Sequence, residues 1–343
     1  GAGLVTALSG DGVFPSAPPK DGRVLVIDRY PNAVLTWISP SDATTEQLSV
    51  ATGFASNPQD AVEREGEWLV SRGATNPNAG REALDGGGDV LALVAGQPTA
   101  RIDLNGRALA GFDPMPGALA LVRPDTLLVG LAHLRRDFTH GAPGRTAVVD
   151  PGQRTVTAVL DLGPYTNCGG LTPLPSGEAV LVVCAGVFQE PPRDDHSALV
   201  RIDVTAAPRV AQTWPAKDLV GGAIGFGLEP LDDHTAIALV FGDLGAGTAD
   251  RLVRVDLDAG THTELGIDGP AFELGRPLWD AAAAVLLVPD GNAKSPKLRR
   301  YRFSSGAGAE LLDTQVVTPV TGLPPRHLTR LGSAILTGPR RAL

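Results

Sequence analysis

The chain has 343 residues, more than one ordinary compact core holds, so two domains or one closed repeat architecture is expected. Gly (42) and Pro (29) are abundant, yet 43% hydrophobic residues suffice for a core, which excludes general disorder and assigns the Gly and Pro to turns. The net charge is −9, and basic residues form only short groups, such as Arg299, Arg300 and Arg302 and Arg340-Arg341. That excludes a basic stripe for nucleic acid, and no apolar run is long enough to span a membrane.

The first residues, Gly1-Ala2-Gly3, lack a methionine, which points to a removed leader or a tag scar and leaves room for a lipid anchor upstream. Gly3 to Ser9 reads as a strand running into the turn Gly10-Asp11-Gly12. Short continuous apolar runs follow along the chain, marked by Ile27, Val70, Val129, Val182, Ala238, Leu286 and Leu336, at gaps of 43, 59, 53, 56, 48 and 50 residues. Runs of this kind suit strands buried on both faces. Each is read as the second strand of a four-stranded blade. A further strand follows each of the first six, marked by Ser39, Ala95, Asp150, Asp203, Asp256 and Phe303. In one of these, Val200, Ile202 and Val204 alternate with Arg201 and Asp203, the pattern of a half-buried strand nearer the rim. Helical signals are scarce; the best stretch, Gln59 to Leu69, is short and sits beside Pro58 and Gly66.

Self-similarity at about fifty residues marks a propeller or a solenoid, and turns such as Pro151-Gly152 and Asp258-Ala259-Gly260 make antiparallel hairpins, which favour blades. The expected fold is a single all-β propeller over residues 1–343, with repeats at 1–52, 53–107, 112–164, 165–217, 220–268 and 270–318 and an incomplete one at 319–343. Seven second-strand runs favour seven blades; six third-strand markers keep six as the alternative. The ring is expected to close with the chain ends meeting in a shared last blade, His327 to Leu331 and Ala334 to Thr337 joining N-terminal strands.

The strands ending in Val-Val-Asp or Val-Ile-Asp, the first followed by Pro-Gly, and the lead-in Asn57-Pro58-Gln59-Asp60-Ala61-Val62 resemble bacterial YVTN-type propellers. The stretches Trp68-Leu69-Val70-Ser71-Arg72 and Val180-Leu181-Val182-Val183-Cys184 stand where that family carries its namesake tetrapeptide, which is missing here. The resemblance implies a secreted or surface-anchored propeller, usually seven-bladed. Streptogramin lyase and lactonase-type propellers share the architecture and are catalysts, so fold alone does not choose a function.

Cys168 and Cys184 are the only cysteines and flank Pro175-Ser176-Gly177, read as a three-residue hairpin loop. Pairing Leu174 with Glu178 sets the two cysteines opposite each other across adjacent strands, within disulfide reach. A disulfide implies an oxidising compartment: extracellular, cell-surface or periplasmic. Two buried thiols in a cytosolic protein are the alternative.

No nucleophile elbow, phosphate loop or paired-histidine metal motif is present, and no catalytic residue is assigned. His133 and His140, with Asp137 between them, share one long connection and read as exposed loop histidines or a metal pair. Asp85-Gly86-Gly87-Gly88-Asp89 offers oxygens to calcium, or is simply a flexible turn; no cofactor is otherwise implied. Topology supplies better candidates, because the loops leading into the first strands converge at the channel mouth. Asn57, Gln59, Asp60, Arg72, Asn167, Glu273 and Arg276 are expected there, to hold a small polar ligand or a cation, or to serve turns and local ion pairs. The loops Gly73 to Gly88 and Arg135 to Gly144 are long enough to bind a partner. The leading reading is a non-enzymatic binding or scaffold propeller for a protein or small polar ligand. The alternatives are a metal-dependent lactonase or lyase with its cation in the channel mouth, and a subunit of an extracellular surface assembly.

Overall fold

A strand that is apolar on both faces requires a sheet on either side of it, and here that requirement is met in a ring. The computed structural model describes residues 11–292, 294–303, 308–317 and 325–330. They form six four-stranded antiparallel sheets, each from consecutive strands in sequence order, arranged as a β-propeller. Blade 1 comprises β1 (Gly12–Val13), β2 (Val24–Asp28), β3 (Val34–Ile38) and β4 (Thr45–Ser49). Blade 2 comprises β5 (Pro58–Arg64), β6 (Glu67–Thr75), β7 (Gly87–Val94) and β8 (Gln97–Asp103). Blade 3 comprises β9 (Pro116–Arg123), β10 (Thr126–Leu131), β11 (Arg145–Asp150) and β12 (Thr155–Asp161). Blade 4 comprises β13 (Gly170–Pro173), β14 (Ala179–Ala185), β15 (Ser197–Asp203) and β16 (Arg209–Pro215). After the short helix α1 (Ala216–Val220), blade 5 comprises β17 (Ile224–Pro230), β18 (Thr235–Val240), β19 (Asp250–Asp256) and β20 (Thr261–Gly269). Blade 6 comprises β21 (Leu278–Asp280), β22 (Val285–Asp290), β23 (Lys297–Phe303) and β24 (Ala309–Val316).

The pleat of the second strands explains how the blades cohere. On β14, Val180 and Val182 pack with Ala120, Leu128 and Val148 of blade 3, while Leu181 and Val183 pack with Ile224, Leu228 and Ala238 of blade 5. Leu69 and Val70 of β6 divide in the same way between blades 3 and 1. Ile237 and Leu239 of β18 face Leu286 and Val288 of blade 6. Each interface is therefore a separate apolar layer, and among the described residues five such layers join the six blades in series.

Six of the seven markers, Ile27 through Leu286, lie on second strands, and all six third-strand markers lie on a third strand or one residue past it. The expectation of seven blades is not met; the alternative of six is the one observed. The seventh marker, Leu336, lies outside the described residues, as do Gly3 to Ser9 and Ala334 to Thr337. Blade 6 has its four strands from one continuous stretch, so no N-terminal strand is needed to complete it. Residues 325–330 run without strand pairing beside blades 5 and 6: the Arg276 N–H ahead of blade 6 donates to the Arg326 carbonyl (3.1 Å), and Arg330 Nη2 donates to Glu229 Oε1 of blade 5 (3.1 Å).

The Gln59 to Leu69 stretch is the β5–β6 hairpin, turning at Glu65 and Gly66, both with positive φ. Cys168 and Cys184 form a disulfide and both are fully buried. The pairing differs from expectation by one residue: Leu174 N–H donates to the Ala179 carbonyl, so the loop is Pro175 to Glu178. Cys168 lies just ahead of β13, where the chain is free to bring its sulfur onto β14.

Candidate functional site

The first strand of each blade is innermost, and the turns leading into these strands ring one end of the central channel. Three of the turns use the same device. Asn57, Met115 and Asn167 each adopt a left-handed conformation, with φ of 51°, 43° and 58°, and each accepts a backbone hydrogen bond from the last part of the second strand of its own blade or the residue just past it. Asparagine tolerates this conformation better than most residues. The turns surround a cavity of about 810 Å³ to which all six blades and the 325–330 segment contribute.

Of the residues expected there, Asn57, Gln59, Asp60, Asn167 and Arg276 line the cavity. Gln59 is held between Asn57 Oδ1, to which it donates (2.8 Å), and Arg29 Nη1, from which it accepts (3.0 Å). Asn167 Nδ2 donates to the Gly186 carbonyl (3.1 Å). Asp60 is 2% exposed and accepts four hydrogen bonds, from Ser16 Oγ (2.6 Å) and from the Ser16, Ala61 and Leu119 N–H groups (2.8 Å each). Burial pushes its carboxyl above the usual range, opposed by those donors. Ser16 belongs to blade 1 and Leu119 to blade 3, so Asp60 joins three blades.

Arg72 and Glu273 do not line the cavity. Arg72 is fully buried and grips Asp89 through Nε and Nη2, both at 2.7 Å, while Nη2 also donates to the Leu84 carbonyl (2.8 Å). An arginine closing a strand finds its carboxylate on the next strand of the same sheet. Glu273 Oε2 accepts from Asn292 Nδ2 (2.8 Å) within blade 6. Both charges are thereby committed to local structure.

The calcium-like run leads out of a turn and into β7. Asp85 accepts the Gly80, Arg81 and Glu82 N–H groups at 2.8–3.1 Å, and Asp89 is shared by Arg72 and Arg101. A Cβ at Gly87 would lie 2.2 Å from the Ala74 carbonyl oxygen, and its φ of +63° is itself strained for other residues. His133 is buried rather than exposed, its Nδ1 3.3 Å from the Pro143 carbonyl, and burial holds its imidazole below the usual range. His140 lies 2.8 Å from Thr139 Oγ1. Among the described residues no group of three or more His, Cys, Asp or Glu side chains is placed to hold a metal ion.

Several residues of the mouth had no signal in the sequence. Arg29, Arg326 and His327 line it beside Arg276. Enclosure by the channel wall and then the positive charges of Arg29, Arg276 and Arg326 push the His327 imidazole down to about 4, with Asp11 opposing. The residue as a whole is nonetheless exposed. Aromatic side chains stand on the rim: Tyr30 (62% exposed), Phe138 (52%) and Phe226 (43%) line the cavity. Beside them the Arg193 guanidinium lies over Phe188, 3.7 Å from the ring centre, and 4.6 Å from that of Phe241.

No family model matches the chain, and no match is found among curated proteins. Among solved structures, the chain is similar to a candidate 6-phosphogluconolactonase from Bacteroides uniformis, with a TM-score of 0.58 and 12% identity over 92% of this chain and 88% of that one. It is also similar to a second candidate 6-phosphogluconolactonase, from Bacteroides fragilis (TM-score 0.57, 12% identity, 88% and 83% covered). A third similarity is to the hydrazine synthase of Kuenenia stuttgartiensis (TM-score 0.57, 10% identity, 87% and 79% covered). At these identities the likeness extends to the propeller fold and no further.

Proposed function

We propose that this protein is a binding propeller of an oxidising compartment, secreted or at the cell surface, that takes a small polar ligand in the mouth of its central channel. The observation that carries the reading is the 810 Å³ cavity lined from every blade, with polar side chains fixed by neighbours and aromatic rings at the rim. A concave site with a few oriented polar groups is the usual form of a small-molecule site. The disulfide and the YVTN-like strand pattern support the compartment.

Binding is favoured over carboxylate catalysis because the carboxylates of the mouth are already engaged. Asp60 is saturated by donors, Asp113 is 3.1 Å from Arg136 Nε, and Asp11 is paired with Arg29. General acid–base work requires a group with hydrogen-bonding capacity left for substrate.

The test is a ligand-observed NMR screen of sugars, amino acids and organic acids against the protein and an Ala132→Trp variant. Ala132 lines the cavity and is only partly buried, so the indole would occupy the mouth. Hits lost in the variant, with thermal unfolding unchanged, support the reading. Hits that persist, or a screen without hits, overturn it.

A further inference from the structure

We infer that the channel mouth selects an organic oxyanion, a carboxylate or phosphate ester on an apolar or ring-shaped body, with Arg276 and Arg326 as the groups that receive the charge. The inference rests on the mouth being a ligand site and names what that site takes.

The charges around the cavity do not balance locally. Its three aspartates are accounted for: Asp60 by four hydrogen-bond donors, Asp11 by Arg29, and Asp113 by Arg136. Two of its arginines are engaged in return, Arg29 and Arg136. The other two are held more loosely. Arg276 Nη2 stands 3.8 Å from Glu229 Oε2, a single acid that it shares with Arg330, whose Nη2 donates to Oε1 (3.1 Å). The hydrogen bond of the Arg326 side chain goes to a neutral partner, Nη1 to the Phe272 carbonyl (2.8 Å). A chain with a net charge of −9 thus directs surplus positive charge into the cavity of the channel mouth. His327, which also lines the cavity, stays neutral near pH 7 and adds no charge to theirs.

Guanidinium groups are weakly hydrated and present paired N–H donors that match carboxylate and phosphate oxygens. A concave wall of low polarizability concentrates their field on an entering anion. The rings of Tyr30, Phe138 and Phe226 stand at the opening, where they would cover the apolar body of a ligand whose charged end reaches the arginines.

The experiment is calorimetric titration at neutral pH and low salt with phenylacetate, phenyl phosphate and the neutral phenylacetamide. Wild-type protein is expected to prefer one or both anions over the amide by about tenfold or more, the scale of one charge-assisted hydrogen bond. Added salt should erode that preference. Arg276→Gln and Arg326→Gln should each lose most of it while binding the amide as before. Arg326→Gln leaves the buried Glu229 untouched, so it serves even if the other variant is destabilised. Amide binding equal to that of the anions, abolished by Ala132→Trp, overturns the oxyanion assignment and leaves the mouth as a ligand site. Anion binding unchanged by Ala132→Trp overturns both readings, and failure of all three probes to bind overturns the oxyanion assignment.

Discussion

Asp60 shows how a residue that resembles a ligand donor can be a structural joint. Its carboxylate accepts from Ser16 of blade 1 and Leu119 of blade 3 while it belongs to blade 2. Asp60→Ala would leave the buried Ala61 and Leu119 N–H groups without partners, at about 1–3 kcal/mol each, so urea unfolding should show a loss of several kcal/mol. Asp60→Asn keeps one acceptor oxygen and should lose less; equal midpoints for wild type and Asp60→Ala would refute the joint. His327 makes a second residue-scale prediction. Its proton affinity is lowered to about 4 in the fold, against about 6.5 when unfolded. Between those values the unfolded chain binds a proton that the folded one refuses. The contribution of His327 is therefore complete above about pH 6.5 and is lost as pH falls toward 4. Stability of wild type relative to His327→Asn, followed by denaturant titration from pH 7 down to 4, should decline; a pH-independent difference would show that the surrounding arginines do not act on the ring.

At the scale of strands and loops, one carboxylate device recurs. Glu229 on β17 accepts the Trp279 N–H of β21, as Asp60 on β5 accepts the Leu119 N–H of β9. In both cases an acid on an inner strand holds the inner strand of the next blade. The sequence showed Asp60 because it sits in a recognisable lead-in, but Glu229 precedes Pro230 in an unremarkable strand and carried no signal. The blade 4 hairpin was legible because pairing across a short loop is local. Only the slip of one residue was not, since whether Glu178 joins the loop depends on the Leu174–Ala179 hydrogen bond. The disulfide that ties this hairpin closes a separation of 16 residues. Replacing both cysteines by serine should cost about 3 kcal/mol in the chain-entropy model. Thiol titration of the unfolded, unreduced protein should find no free thiol; two titratable thiols would remove the argument for an oxidising compartment.

For the molecule as a whole, the five apolar layers among the described residues join blades 1 to 6 in series, and the junction of blade 6 with blade 1 is not one of them. Residues 325–330 touch blades 5 and 6 through polar bonds and bring His327 within the field of Arg29 of blade 1. Gly275 is shaped for this segment: a Cβ there would lie 2.2 Å from the Arg326 carbonyl oxygen. Deleting residues 323–343 should therefore destabilise or aggregate the protein, because it uncovers the buried Glu229 and the inner edge of blade 6. Unchanged cooperative unfolding of the truncated chain would show that the ring holds without that stretch.

The sequence by itself determined the blades, because burial on both faces is written into each second strand as a run such as Val180-Leu181-Val182-Val183, and it determined the disulfide, because hairpin neighbours are close in sequence. The number of blades was decided by tertiary structure, since an apolar run by itself does not show whether a four-stranded sheet forms around it. Tertiary structure also decided the character of the site. Arg72 lies in the expected region of sequence, but its side chain turns to Asp89 inside its own sheet. Arg29, Arg276 and Arg326 come from opposite ends of the chain, and only the curvature of the ring brings their charges to one cavity.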